Sequence, residues 1–187
     1  MAVLVQVIRH GTSLTESLNT QLPKLNPTDR GMCQALCYGC LRHYHKLDYL
    51  LGKLLDKPMR QKDQDVYCVL LIGVYQLLEM RIPDHAAVSQ TVAVSKALRK
   101  PWAKQLINGV LRNFQRQQET LLASLNENEP VSFYSHPAWL LEKLQQAWPD
   151  DWQAILTANN QQAPMSLRVN QRKVSRDEYL GKLSAQD

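Results

Sequence analysis

Ten consecutive residues, 66–75 (VYCVLLIGVY), contain no charge. They lie in a stretch, residues 63–81, whose length and flanks suit a helix. Such a helix is apolar on every side and has no face for water, so it belongs at the centre of a bundle. The run is also too short to cross a bilayer, which takes roughly 18 apolar residues or more. A start without a basic leader, followed by a short apolar stretch ending at Arg9, does not resemble a secretion signal. No membrane association is expected.

The segments around this central helix are helical too. Residues 2–10 form a helix closed by Gly11, and residues 14–22 a short one stopped by Pro23 and Pro27. Asp29 is placed to cap a long helix over residues 30–57, with a bend near His43. Its apolar positions, Leu36, Cys37, Cys40, Tyr44, Leu47 and Leu51, recur at helical spacing. Asp84 opens a helix reaching residue 99. Pro101 starts another that runs to about residue 125, because a first-turn proline lacks only an N–H that would have no partner anyway. The fold class is therefore all-α. Residues 126–130 are polar and mark a boundary. Two short helices follow, over 137–147 and 149–160. Residues 165–170 (MSLRVN) then alternate like a strand, and 176–183 read as a helix. One strand leaves both edges unpaired, so this tail reads as an incomplete strand-helix lead-in.

Charge is distributed unevenly. The net charge is only +5, yet residues 85–118 contain no Asp or Glu and carry Lys96, Arg99, Lys100, Lys104, Arg112 and Arg116. At 100° per residue, Lys104, Asn108, Arg112 and Arg116 share one face, and Ala103, Ile107, Val110, Leu111 and Phe114 the opposite one. Residues 30–47 are also free of acids and offer Arg42 and Lys46. Cations fixed on a rigid helix suit a phosphate backbone. The expected RNA contacts are Arg42, Lys46, Lys104, Asn108, Arg112 and Arg116, with Arg99 and Lys100 in support.

Other chemistries find little purchase. Cys33, Cys37 and Cys40 have the C-x3-C-x2-C spacing of an iron–sulfur ligand set. They fall on the apolar face of a helix, however, where cysteine acts as a small buried hydrophobe. The four cysteines read as reduced thiols of a cytoplasmic protein. The five histidines make no zinc set, so no metal is expected. No two of the seven glycines stand as G-x-G, so no nucleotide cradle is visible. Gly39, Gly73 and Gly109 lie within helices, where close helix approach is the usual reason for a glycine. The four tryptophans could stack on bases, but core or interdomain packing is the expected role. No catalytic centre is apparent.

Three segments carry a family resemblance: residues 37–48 (CYGCLRHYHKLD), 72–96 (IGVYQLLEMRIPDHAAVSQTVAVSK) and 106–114 (LINGVLRNF). In this order they resemble the NusB-like domain, which implies a bundle of about seven helices over residues 1–130. That domain occurs as a free-standing transcription antitermination factor and at the front of the Sun/Fmu (RsmB-type) 16S ribosomal RNA cytosine-5 methyltransferases. Residues 135–144 (SHPAWLLEKL) and 158–170 (ANNQQAPMSLRVN) resemble the join to the methyltransferase domain, so residues 131–187 are expected to be a linker and the start of a lead-in. The resemblance implies 16S ribosomal RNA and the protein's own C-terminal methyltransferase domain as partners, with S-adenosylmethionine the cofactor of the full-length parent. The family's glycine-rich cofactor loop and its Pro-Cys and Thr-Cys cysteines have no counterpart here. The chain itself is thus expected to lack the catalytic domain, to bind no cofactor and to be no enzyme. The alternatives are the antitermination factor, or a protein-interaction module that docks a catalytic domain or a ribosomal protein.

Overall fold

The structure, a computed structural model, describes residues 1–161 and 166–184. Seven helices make the first body: α1 (Ala2–His10), α2 (Leu14–Gln21), α3 (Pro27–Arg42), α4 (Tyr44–Leu54), α5 (Gln64–Glu79), α6 (Asp84–Ala97) and α7 (Pro101–Ala123). Helices α1, α3, α4, α6 and α7 all pack on α5. Consequently α5 is buried around its whole circumference, from Val66 through Leu71, Val74 and Leu77. The uncharged run is the hub of an all-α bundle, as its composition demands.

Two glycines set how closely the hub is approached. A β-carbon on Gly73 would lie 2.7 Å from Leu111 Cδ2 and 3.0 Å from Thr91 Cγ2, so Gly73 lets α7 and α6 seat against α5. A β-carbon on Gly39 would run into the ring of Tyr75, and its absence lets α3 close on α5. Gly109 differs from both, with open space around it. Of Gly39, Gly73 and Gly109, the three glycines expected within helices, close approach explains the first two. Gln76, buried on the hub, is satisfied by the Thr91 hydroxyl at 3.0 Å.

The segment expected as one helix over 30–57 is two. It begins at Pro27, a favoured first position, and Asp29 lies in the first turn, where its charge suits the helix dipole without capping. His43 leaves helical geometry (φ −100°, ψ 19°) and separates α3 from α4. Its ring stacks on Tyr75 of α5, 6.2 Å between centroids.

The cysteines are unpaired, with Cys37, Cys40 and Cys68 buried and Cys33 half-buried. Burial pushes the Cys37 thiol up to about 11 and Cys68 to about 12, and raises Cys40 in the same way. Thiols so placed stay protonated and serve as packing groups.

Beyond the polar residues 126–129 lies a smaller unit. It comprises α8 (Pro130–Phe133), α9 (Ala138–Ala147) and α10 (Trp152–Asn160), around Tyr134, Leu141 and Leu156. The turn after α8 is held by polar contacts. Ser135 takes a left-handed conformation (φ 54°), and its Oγ accepts a hydrogen bond from the Lys46 backbone N–H of α4 at 3.3 Å. Buried His136 donates from Nδ1 to the Tyr134 carbonyl at 2.6 Å and accepts at Nε2 from the Asn159 amide at 2.7 Å. Asn160 donates to the same Tyr134 carbonyl at 2.6 Å.

The strand expected over 165–170 is not there. Met165 lies outside the described residues, and Ser166–Asn170 forms no strand, having no neighbour to pair with among the described residues. The helix expected next is present as α11 (Arg176–Ser184). No described helix is long and apolar enough to cross a membrane.

Candidate nucleic-acid interface

Helix α7 owes its position to its two ends and its apolar side. Lys100, kept out of helical geometry (φ −121°, ψ 83°) as residues before proline tend to be, leads into Pro101 at the first turn. The connection from α6 turns tightly through Arg99, a non-glycine residue in the left-handed region (φ 53°). The helix then runs antiparallel to α6, and Gln115 donates back to Asp84 at the start of α6 at 3.1 Å. Ala103, Ile107, Val110, Leu111 and Phe114 are all buried, so the apolar stripe read from the wheel faces the core.

The opposite side meets solvent. Lys104, Arg112 and Arg116 are exposed, and Asn108 between them is half-buried. The Arg112 Nε donates to Asn108 Oδ1 at 3.1 Å, a one-turn contact that stiffens a long side chain along the helix. Where α6 gives way to α7, Lys96, Arg99, Lys100 and Lys104 line a shallow hollow of about 230 Å³ together with Ser95 and Pro101. Among the described residues, none of Lys96, Arg99, Lys104, Arg112 and Arg116 joins an ion pair.

Two of the eight expected contact residues are engaged elsewhere. The Lys100 ammonium lies 2.9 Å from Asp63 and 2.7 Å from Asp65, and donates to the Lys62 carbonyl at 2.9 Å. Desolvation works against its charge. The hydrogen bonds to Asp65 and Asp63 outweigh that and hold its pKa above the ordinary lysine value. Lys100 thus fastens the start of α7 to the start of α5. Lys46 pairs with Glu79 at 3.0 Å, at the far end of α5. Glu79 is roughly 21 Å along the hub from Asp65 at 1.5 Å per residue. The eight residues therefore fall into two groups. Arg99, Lys100, Lys104, Asn108, Arg112 and Arg116 follow the α6–α7 turn and α7, whereas Arg42 and Lys46 sit at the α3–α4 break. Arg42 is exposed there.

Sequence reasoning missed the acids that hold Lys100, because Asp63 and Asp65 stand 37 and 35 positions away. The tryptophans divide between the core and the surface. Only Trp152 packs substantially, edge-on to Tyr134 at 5.2 Å, while Trp102, Trp139 and Trp148 are exposed. Among the described residues, no group of three His, Cys, Asp or Glu side chains is arranged to hold a metal ion.

Known proteins match both parts of the chain. Residues 1–116 match the NusB family. Residues 136–187 match the ferredoxin-like domain of RsmF/B-like methyltransferases. The ribosomal RNA small subunit methyltransferase B of Klebsiella pneumoniae subsp. pneumoniae is 49% identical over 179 residues, 96% of this chain. The protein of the same description from Escherichia fergusonii is 47% identical over 178 residues, 95% of this chain. The chain spans 41% of the length of each of these relatives.

Proposed function

Because the chain belongs to the NusB family, we propose that it is the RNA-docking N-terminal region of an S-adenosylmethionine-dependent methyltransferase. The substrate is 16S ribosomal RNA, modified at cytosine C5, in the cytoplasm. The observation that carries the reading is the outer face of α7. There Lys104, Arg112 and Arg116 project from a helix whose other side is locked into the core, with no carboxylate paired to them among the described residues. Each phosphate that such a cation neutralises releases a counterion, and a rigid row tracks a nucleic-acid backbone. Arg99 and Arg42 add to the surface. Lys100 and Lys46 contribute chiefly by fixing the helices that carry it.

The role of the region is docking. RNA held by shape and backbone contacts has a raised local concentration at a methyltransferase domain joined to it, the second partner proposed here. No glycine-rich strand–helix turn exists among the described residues to cradle S-adenosylmethionine, so no step of methyl transfer is assigned to this chain's side chains. The match of residues 136–187 to the ferredoxin-like domain of RsmF/B-like methyltransferases favours this setting over a free-standing antitermination factor.

The test is fluorescence anisotropy with a 16S ribosomal RNA fragment at low and physiological salt. Arg112→Glu combined with Arg116→Glu should weaken binding on the order of 10–100-fold and flatten the salt dependence, with helix content by circular dichroism unchanged. Unchanged affinity would reject the α7 face. The exposed Trp139 and Trp148 support a second reading, in which the small unit contacts protein. Binding through them would be nearly insensitive to salt.

A further inference from the structure

A second cavity, of about 430 Å³, opens beside the first turn of α7. One wall is Trp102, 48% exposed although its neighbour Ala103 is fully buried. The other wall is the loop entering α5, which brings Lys57, Arg60 and Lys62, all exposed, with Met59 on the cavity's apolar side. Asp63 also lines the cavity, and its carboxylate is taken by the Lys100 ammonium. The contact from Lys100 to the Lys62 carbonyl holds this loop against the start of α7, so the two walls are built and not incidental neighbours.

An exposed indole and three cations lining one cavity, beside one neutralised acid, match a nucleotide. The base has a flat π-face and a phosphate on either side. Base stacking on an aromatic side chain is tolerant of sequence but requires an unpaired base. We propose that this cavity is a subsite for one unpaired nucleotide of RNA, with the base stacked on Trp102 and its flanking phosphates on Lys57, Arg60 and Lys62. The inference rests on the RNA-docking reading and refines it. The cavity shares Lys100 with the α6–α7 hollow through that residue's bonds, so the α7 face holds backbone while the cavity selects single-stranded character.

The experiment compares anisotropy of a single-stranded oligouridine with that of a blunt RNA duplex of matched phosphate number, using the chain of residues 1–187. Trp102→Ala should weaken oligouridine binding by about 5- to 100-fold and leave duplex binding within twofold, while Trp102→Tyr keeps most of the affinity. Arg60→Gln combined with Lys62→Gln should reduce the salt slope for oligouridine. Equal weakening for both ligands, or none for either, overturns the subsite; the latter would leave the Trp102 wall for a protein partner. If the unaltered chain binds neither RNA even at low salt, the docking reading fails and the subsite falls with it. If it binds both and Trp102→Ala changes nothing, the subsite alone fails.

Discussion

The bundle and the small unit behind it are held by different forces. Among the described residues, twenty-four buried apolar residues form one continuous cluster in the bundle, against three in the unit of α8–α10. In the bundle, stability follows from area removed from water, and loss of a single side chain is felt throughout. The unit has too little apolar area to fix its shape that way. Its turn is set by Ser135, His136, Asn159 and Asn160, whose hydrogen bonds cross between its helices and to α4. Apolar periodicity can place helices, but the join between the two bodies depends on polar atoms meeting at one angle.

The hardest way to break this contrast is from the bundle side. Phe114→Ala empties a fully buried site under α7 and should cost about 3–5 kcal/mol in urea unfolding. A loss below 1 kcal/mol would mean that α7 is not anchored by its apolar stripe. A smaller effect is expected in the unit. Asn160→Ala removes one of two donors to the Tyr134 carbonyl and should cost about 1 kcal/mol, seen as faster limited proteolysis beyond residue 126 with the bundle's unfolding midpoint unchanged. If both transitions shift together, the two bodies are one cooperative unit and the contrast dissolves. The smallest effect is at the turn between α6 and α7. Arg99→Gly relieves a left-handed residue and should stabilise by about 0.5 kcal/mol, while RNA binding weakens slightly through the lost cation.

Most of the bundle was legible because its code is local. The uncharged run at 66–75 announced the hub, Pro101 announced the start of α7, and the apolar stripe from Ala103 to Phe114 is buried as read. Errors arose where the determining partner is distant in sequence. At His43, where a bend was expected, the helix ends outright against Tyr75, 32 positions on, although the apolar spacing continues through the break. A stretch without acids says nothing of acids that lie outside it. Lys100 and Lys46 are bound by acids of another helix, which no count within the stretch reveals. Trp102 shows the same limit. Its meaning depends on Lys57, Arg60 and Lys62, some 40 positions earlier, and only the folded chain brings them together. The alternation over 165–170, read as an incomplete lead-in, describes a strand only where a second strand is available to meet it.

The left-handed turn at Ser135 has a consequence for how the whole works as a device. A flexible tether would let an RNA held on α7 wander relative to α9 and α10, and its ends would sample a wide volume. With Ser135 bonded to α4 and His136 locked between Tyr134 and Asn159, the connection behaves as a bracket with one angle. A bracket measures. On the RNA-docking proposal, nucleotides held at one end would be presented at a set distance from the other, and an RNA of the wrong contour would find no slack to accommodate it.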